Sequence, residues 1–334
     1  MTDRRKFIGG LALGAAAGLT GNAKADGPSG TSAFAELSGR EFRGMQGAYA
    51  PLYTPFTADD RLNEGAVAPC VEFCLKHGLR GFYVNGSTGE GLLQSVDERK
   101  RMMKCVADAN KGRGKLIAHV GAMATRDAVE LARYAADIGY DWVSAQAPVF
   151  FATGWDACYY HFKTISEATD LPFMIYSRLA KIDPEKDARL FDLKNVKGMK
   201  YTGYEYWTVR MLKDRLGKEA IFFAGADEQV VGAFGFTGVF SGAIGTTYNT
   251  LPDQIVKICE LAAAGRLNEA EPYQHRIQRF IEVCQTGNSF SYWKATMRYL
   301  GMDVGQARPP SPSVSEEQYR AFAAKLAKLD FLRA

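Results

Sequence analysis

The chain has 334 residues, of which 47% are hydrophobic and 23% charged, and its formal net charge is +4. This is the composition of an ordinary globular chain, long enough for one large domain or two small ones. The small charge, without a basic stripe that alternates with aromatic residues, gives no reason to expect a nucleic acid as a partner.

The first 25 residues differ from the rest of the chain. Arg4 and Arg5 precede an apolar run over residues 7–19, and a small-x-small site follows at residues 23–25. This order is typical of a twin-arginine export signal, and the run is shorter than the roughly 20 residues of a membrane span. The alternative is an arginine-rich disordered tail. We expect residues 1–25 to be a signal peptide, residues 26–44 a linker, and the mature protein to be periplasmic or otherwise extracytoplasmic, without a membrane partner.

From residue 45 onward, short apolar runs alternate with longer amphipathic segments. The runs are, in chain order, MQGAYAPLYTPF, RGFYVNGS, KLIAHVGA, DWVSAQAP, LPFMIYS, VKGMKYT, AIFFAGA and GVFSGAIGTT. Eight strands separated by helices predict an α/β fold, a (β/α)8 TIM barrel, over residues 45–250. Residues 251–334 predict three or four additional C-terminal helices. An open doubly wound sheet is the alternative, but no GxGxxG follows the first strand.

Two of the segments between the apolar runs differ in how strongly their sequence patterns predict a helix. Ala128, Leu131, Ala132 and Ala135 have the i, i+3, i+4, i+7 spacing of a buried helix face. The segment KIDPEKDARLFDLKN, between the fifth and sixth runs, gives the weakest helical pattern.

Polar residues and glycines concentrate where the predicted strands end. They are Asn85–Gly91 (NGSTGEG), Tyr176, Lys200, Gly225–Glu228 (GADE) and Gly245–Asn249 (GTTYN). In a TIM barrel the carboxyl ends of all strands meet at one rim, which carries the active site. The sequence therefore predicts that these residues meet at that rim.

Lys200 lies near the end of the sixth strand. Since side chains alternate between the two faces of a strand, Val196, Gly198, Lys200 and Thr202 should share one face, which their small or apolar character assigns to the barrel interior. Burial would lower the pKa of Lys200, and a neutral amine can form a Schiff base with a carbonyl. The alternative, a strand-end lysine that reaches solvent, remains open from strand position alone.

The turn from Gly86 to Gly89 offers backbone N–H groups and the hydroxyls of Ser87 and Thr88 before a predicted helix. Such a turn can bind an anion, for example the carboxylate of an α-keto acid. Alternatively, Ser87 or Thr88 caps the next helix. Tyr176 could carry a proton between an amine and a substrate, or be a core tyrosine.

These motifs together resemble the N-acetylneuraminate lyase and dihydrodipicolinate synthase family of pyruvate-dependent class I aldolases, over about residues 45–285. The resemblance implies a (β/α)8 barrel with C-terminal helices and, usually, a homotetramer. It implies that Lys200 forms the Schiff base and Tyr176 transfers protons. Ser87 and Thr88 would bind the pyruvoyl carboxylate, and Thr88 would assist the proton relay.

The resemblance also indicates where the aldehyde partner binds. GADE is similar to the Gly-x-Asp-Glu of sialic acid lyases, which implies that Gly225, Asp227 and Glu228 contact sugar hydroxyls. Thr202 and Thr246 are expected beside them as substrate-binding residues. A synthase would have arginine at the position of Lys181. The resemblance therefore favours the cleavage of N-acetylneuraminate to N-acetylmannosamine and pyruvate.

Three features depart from the family pattern. The chain has Ser177-Arg178-Leu179 where relatives have Asn-x-Pro, it has Phe150 where many have tyrosine, and its first residues predict an export signal. The alternatives are therefore a synthase-like or other 2-keto-3-deoxy sugar acid aldolase or dehydratase, for which Arg178 and Lys181 could bind a second carboxylate. A non-catalytic keto-acid-binding protein is another alternative.

The sequence gives no reason to expect a metal or a bound cofactor. The four histidines, at positions 77, 119, 161 and 275, lack ligand spacing. No phosphate loop or dinucleotide fingerprint is present. We expect the covalent Schiff base at Lys200 to take the place of a cofactor, with a small keto acid and a sugar as the partners.

Overall fold

The structure is a computed structural model that describes residue 42 and residues 44–149, 154–178, 181–236 and 238–332. The predicted signal peptide and almost all of the predicted linker lie outside these residues. Phe150 and Leu179, two of the departures from the family pattern, lie outside them as well.

Eight parallel strands form a closed barrel in which each strand pairs with the next and β8 pairs with β1. The strands are β1 (Gly47–Ala50), β2 (Gly81–Val84), β3 (Lys115–His119), β4 (Trp142–Ala145), β5 (Phe173–Arg178), β6 (Val196–Thr202), β7 (Ile221–Ala224) and β8 (Gly242–Ile244). Seven strands lie within their apolar runs and β5 extends one residue beyond its run, to Arg178, so the predicted TIM barrel is confirmed.

Helices follow most strands. They are α1 (Val67–Lys76), α2 (Val96–Asn110), α3 (Thr125–Asp137), α4 (Trp155–Ser166), α5 (Tyr206–Leu216), α6 (Val230–Gly235) and α7 (Pro252–Ala263). Between β5 and β6, the segment with the weakest helical pattern forms only a short 3-10 helix, Asp187–Asp192. Helix α3 buries the four residues whose spacing predicted it.

Alternate strand residues fill the interior of the barrel, as the twofold period of a strand requires. They are Tyr49, Tyr83, Ile117, Trp142, Met174, Ile221, Phe223 and Ile244. The intervening strand residues pack outward against the helices in a second, larger core. Because large side chains occupy the interior, a ligand can enter only above them, at a rim.

The alternation is interrupted once, at the start of β6. Phe173 pairs with Val196, but the next residue, Met174, pairs with Gly198, so β6 contains one extra residue there. An extra residue reverses the alternation, so the strand residues that precede it point to the opposite face from the one that simple alternation predicts. Val196 consequently packs in the outer core, and the expectation that it shares the face of Lys200 is wrong.

The helices after β8 extend the barrel. Helix α7 packs on β1, and α8 (Glu271–Cys284), α9 (Ser291–Tyr299) and α10 (Glu316–Leu326) follow it. Helix α8 packs against the segment after β7, where Gln274 Nε2 donates to the carbonyl of Asp227 over 2.9 Å. Within the described part of the chain, no helix has the length and apolar character that crossing a membrane requires.

Candidate active site

A cavity of about 280 Å³ opens at the carboxyl ends of the strands and reaches Lys200. It is lined by Pro51, Ser87, Thr88, Tyr176, Arg178, Lys200, Thr202, Gly225, Ile244, Thr246 and Phe290. Seven of the nine predicted site residues are in this lining, and only Asp227 and Glu228 are not. A second cavity, of about 720 Å³, shares Ser87 and Phe290 with the first but does not reach Lys200.

Lys200 is 3% exposed and lies between two aromatic rings. Its Nζ is 4.4 Å from the centroid of the Tyr83 ring and 4.3 Å from that of the Tyr176 ring. Burial lowers the pKa of Lys200 from its usual value, and this effect exceeds the opposing attraction of Tyr176 and Asp227. The arrangement therefore favours the neutral, nucleophilic amine more than an exposed position would.

Tyr176 is the Cα partner of Lys200 across the β5–β6 pair. Its hydroxyl lies 3.2 Å from the hydroxyl of Ser87, so either oxygen can donate to the other. Burial acts to raise the pKa of Tyr176, but the Lys200 charge and the Ser87 hydroxyl together lower it below its usual value. The phenol can therefore exchange a proton with a ligand bound at Lys200 more readily than an ordinary buried tyrosine.

The turn that contains Ser87 and Thr88 provides a set of donors. Among the described residues, the backbone N–H groups of Ser87 and Thr88 have no acceptor. The Thr88 hydroxyl lies 2.7 Å from that of Thr246. The backbone amides and the side-chain hydroxyls of Ser87 and Thr88 therefore form a suitable environment for a carboxylate at one end of the cavity.

Neither Ser87 nor Thr88 caps a helix. A three-residue 3-10 segment, Gly91–Leu93, follows the turn without a side-chain cap, and α2 begins later with a capping box of Ser95 and Glu98. The expectation that the turn directly precedes a helix is therefore wrong, and so is the helix-capping alternative. The two hydroxyls remain available at the cavity.

Thr202 and Gly225 form the side of the cavity near β7. The Gly225 amide donates to the carbonyl of Tyr201 over 2.8 Å, which holds the two strand ends together. A Cβ at position 225 would lie 2.0 Å from Thr202 Oγ1. Only glycine fits there without displacing the Thr202 hydroxyl.

Asp227 and Glu228 are not in the cavity lining. Asp227 is 6% exposed, and its Oδ2 accepts the backbone N–H of Thr247 over 2.8 Å. Burial raises the pKa of Asp227 to about 6. Glu228 Oε1 accepts the hydroxyl of the exposed Tyr204 over 2.7 Å. Contact of Asp227 and Glu228 with a sugar therefore remains a prediction.

Phe290 was not identified from the sequence as a site residue. It lies immediately before α9, far along the chain from the other lining residues, and its GNSFSYW segment contains no motif that marks a site. Pro51 and Ile244, at the ends of β1 and β8, were missed as well. Their positions at strand ends were the only available signal.

No group of three or more potential metal ligands is found in the described part of the chain. The group at this site that can bond covalently to a ligand is the Lys200 amine, as an imine with a carbonyl.

Comparison with protein families gives one match over most of the chain. The model described as the dihydrodipicolinate synthetase family matches residues 44–329. Among individual relatives, the N-acetylneuraminate lyase of Rhizobium meliloti (strain 1021) is 34% identical over 280 residues, covering 83% of this chain and 93% of that protein. The N-acetylneuraminate lyase of Clostridium perfringens (strain SM101) is 31% identical over 278 residues, covering 82% and 96%.

Solved structures agree with this result. CdNal from Clostridium difficile, in complex with mannosamine, superposes with a TM-score of 0.81 at 27% identity, covering 85% of this chain and 99% of that one. The N-acetylneuraminate lyase from Fusobacterium nucleatum, complexed with pyruvate, superposes with a TM-score of 0.80 at 29% identity, covering 87% and 98%.

Proposed function

The chain belongs to the dihydrodipicolinate synthetase family, whose members are lyases of the class I aldolase type, and on this premise we propose that it cleaves N-acetylneuraminate to N-acetylmannosamine and pyruvate. The observation that carries the proposal is the position of Lys200. Its buried amine lies in a cavity together with a carboxylate-sized set of donors at Ser87 and Thr88.

The reaction begins at the keto carbon of the open-chain substrate. The substrate carboxylate accepts hydrogen bonds from the turn at Ser87 and Thr88, which places the neighbouring carbonyl next to Lys200. The neutral amine attacks that carbon, and the resulting hydroxyl leaves as water with a proton from Tyr176, so that a protonated imine and a Tyr176 phenolate form. The positive imine nitrogen then serves as an electron sink.

Carbon–carbon cleavage follows from this charge. Tyr176 takes the proton from the hydroxyl whose carbon becomes the aldehyde, the adjacent carbon–carbon bond breaks, and its electron pair moves to form an enamine. Tyr176 returns the proton to the enamine carbon. Water then hydrolyses the resulting protonated imine to pyruvate and the neutral Lys200 amine, and the released proton returns to the Tyr176 phenolate. The 3.2 Å contact between Tyr176 and Ser87 holds the phenol oxygen in place throughout.

The sugar as aldehyde partner is supported by the names of the relatives and by the hydroxyl-rich wall of the cavity. Thr202 and Thr246 also line the cavity and can bond sugar hydroxyls. Asp227 is not in the cavity lining and would reach a sugar only after its hydrogen bond with the Thr247 amide is released.

Borohydride trapping tests the proposal. The protein is incubated with pyruvate, reduced and digested, and the modified peptide is identified by mass spectrometry. We expect a pyruvyl adduct on Lys200, and release of pyruvate when N-acetylneuraminate is the substrate. A folded protein that yields no adduct would refute the Schiff-base mechanism and favour a keto-acid-binding protein.

One observation favours a second candidate function. Arg178 lines the cavity and forms no ion pair with any described residue, so its charge is available to a ligand. The substrate would then be another 2-keto-3-deoxy sugar acid, with a second carboxylate at Arg178. Pyruvate release measured across a panel of such acids separates the two candidates, because Arg178→Gln should weaken the turnover of a diacid more than that of N-acetylneuraminate.

A further inference from the structure

A buried ion pair joins the turn of the candidate site to the C-terminal helices. Lys294, on α9, has a fully buried side chain, and its Nζ lies 3.0 Å from Glu90 Oε1, whose side chain is 5% exposed. Glu90 comes three residues after Ser87, in the same GSTGEG segment. The proposed mechanism does not use either charge.

Lys294 uses all three of its ammonium donors, and each Glu90 oxygen accepts one hydrogen bond. Lys294 Nζ also donates to the carbonyls of Thr54, over 2.9 Å, and Gln306, over 2.8 Å. The other Glu90 oxygen accepts the backbone N–H of Arg308 over 2.6 Å. One charge pair thus connects the segment after β1, the turn after β2 and the chain after α9.

Glu90 has a backbone conformation that residues other than glycine rarely adopt. Its φ is +54°, in the left-handed region that disfavours residues other than glycine. Such a conformation is strained and persists only where the surroundings impose it. The contacts of the Glu90 carboxylate with Lys294 and Arg308 are the surroundings that hold it.

A second set of contacts holds the residue before it. The Gly89 carbonyl accepts the Thr54 hydroxyl and Gln94 Nε2, each over 2.6 Å. The turn then closes through the amides of Glu90 and Gly91, which donate to the carbonyls of Ser87 and Gly86. The backbone of the turn is therefore fixed on the side away from the cavity, which leaves the donors of Ser87 free on the other side.

Burying the charges of Lys294 and Glu90 is unfavourable in itself. Burial lowers the pKa of Lys294 to about 8, even though Glu90 opposes this shift. A buried ion pair contributes little net stability, and apolar residues in its place are often as stable. Specifying one backbone conformation is the role best suited to such a pair.

We propose that Glu90 and Lys294 are positioning residues for the carboxylate subsite, holding the turn so that the donors of Ser87 and Thr88 meet the keto-acid carboxylate. The inference rests on the proposed function, because it takes that turn to be the site of the carboxylate. Neither residue touches the substrate.

The test is a double variant, Glu90→Gln with Lys294→Met, which removes both charges together and leaves no unpaired buried ion. Borohydride trapping is measured over a range of pyruvate concentrations. We expect the half-saturating pyruvate concentration to rise about tenfold or more, because losing one well-placed hydrogen bond to a charged group costs roughly that factor. The maximal trapping rate should stay near that of the unmodified protein, because Lys200 and Tyr176 lie on β6 and β5.

A surface ion pair provides the matched control. Lys104 and Asp108 pair on the exposed face of α2 over 2.6 Å. The double variant Lys104→Met with Asp108→Asn should leave both the half-saturating concentration and the maximal rate unchanged. An unchanged half-saturation in the Glu90 and Lys294 variant, or a loss confined to its maximal rate, would overturn the positioning role.

A separate readout distinguishes this inference from the proposed function. If the unmodified protein forms no pyruvate adduct, the proposed function fails. Hydrogen exchange still tests whether the Glu90–Lys294 pair holds the turn. The amides of Glu90 and Gly91 should exchange faster in the double variant than in the surface control. Equal exchange in the two variants would show that the pair does not hold the turn.

Discussion

Lys200 Nζ lies 4.3 Å from the centroid of the Tyr176 ring, and the two residues are Cα partners on β6 and β5. Tyr83 covers the amine from another direction at 4.4 Å. The two rings exclude water from the amine without supplying a carboxylate to pair with it. Desolvation of Lys200 therefore outweighs the opposing charges of Tyr176 and Asp227, and the predictions below depend on this balance.

Lys200→Met should abolish pyruvate trapping and reduce turnover on the order of 10³-fold or more, because no other lysine is among the described residues that line the cavity. Lys213 is the matched control. Lys213 is also buried, and burial lowers its pKa to about 8. However, it lies on α5, where it donates to the carbonyl of Ala220. Lys213→Met should retain the adduct on Lys200. If the adduct disappears in the Lys213 variant alone, Lys213 and not Lys200 forms the Schiff base.

Tyr176→Phe should reduce the rate of cleavage about 10²- to 10⁴-fold, the usual contribution of a positioned proton-transfer group. Pyruvate trapping at Lys200 should persist, since the ring remains. Tyr83→Phe is the control, because its ring also covers Lys200 but its hydroxyl bonds Ser144 over 2.9 Å, deeper in the barrel. Equal losses in the two variants would mean that the Tyr176 hydroxyl has no special part in proton transfer.

The sequence predicted the barrel and the location of the site because both follow from local patterns. The apolar runs marked all eight strands, and the alternation within β6 placed Lys200 and Thr202 inside. The same alternation failed for Val196, because a bulge is set by the pairing with β5 and leaves no mark in the residues of β6 themselves.

Contacts between distant parts of the chain could not be predicted in this way. Lys294 lies in an amphipathic segment that gives an ordinary helix, and its partner Glu90 lies 204 positions earlier. Phe290 enters the cavity from the same C-terminal region. The GADE motif marked the correct strand end, but the fold directs Asp227 to the backbone of Thr247 rather than into the cavity.

The pH dependence of trapping should reveal the charges around Lys200. The amine reacts only when neutral, so at low pyruvate the trapping rate should fall as the pH falls through the pKa of Lys200, which burial places below 10.5. Asp227 raises that pKa and Arg178 lowers it. Asp227→Asn should therefore shift the acid limb to lower pH, and Arg178→Gln should shift it to higher pH. Shifts in the same direction would contradict this electrostatic account.

Asp227 should also make folding stability depend on pH. Its pKa rises from 3.8 to about 6 on folding, so between these values the folded state retains a proton that the unfolded state has released. Stability should consequently fall as the pH rises from 4 to 6, by about 3 kcal/mol relative to Asp227→Asn. Urea unfolding of both proteins at several pH values measures this difference. A difference that is constant from pH 4 to 7 would show that Asp227 titrates normally.

Gly225 tests whether the side of the cavity near β7 tolerates any side chain. A Cβ there would lie 2.0 Å from Thr202 Oγ1 and 3.1 Å from the carbonyl of Tyr201, so Gly225→Ala must displace the Thr202 hydroxyl or strain the end of β6. We expect a loss of about 1–3 kcal/mol in unfolding free energy, the usual cost of overpacking, together with weaker binding of the sugar. Gly232, on α6, has open space around its Cα, so Gly232→Ala should be neutral or slightly stabilising. Because both changes add one methyl group to a glycine after β7, only the position relative to Thr202 can explain a difference between them.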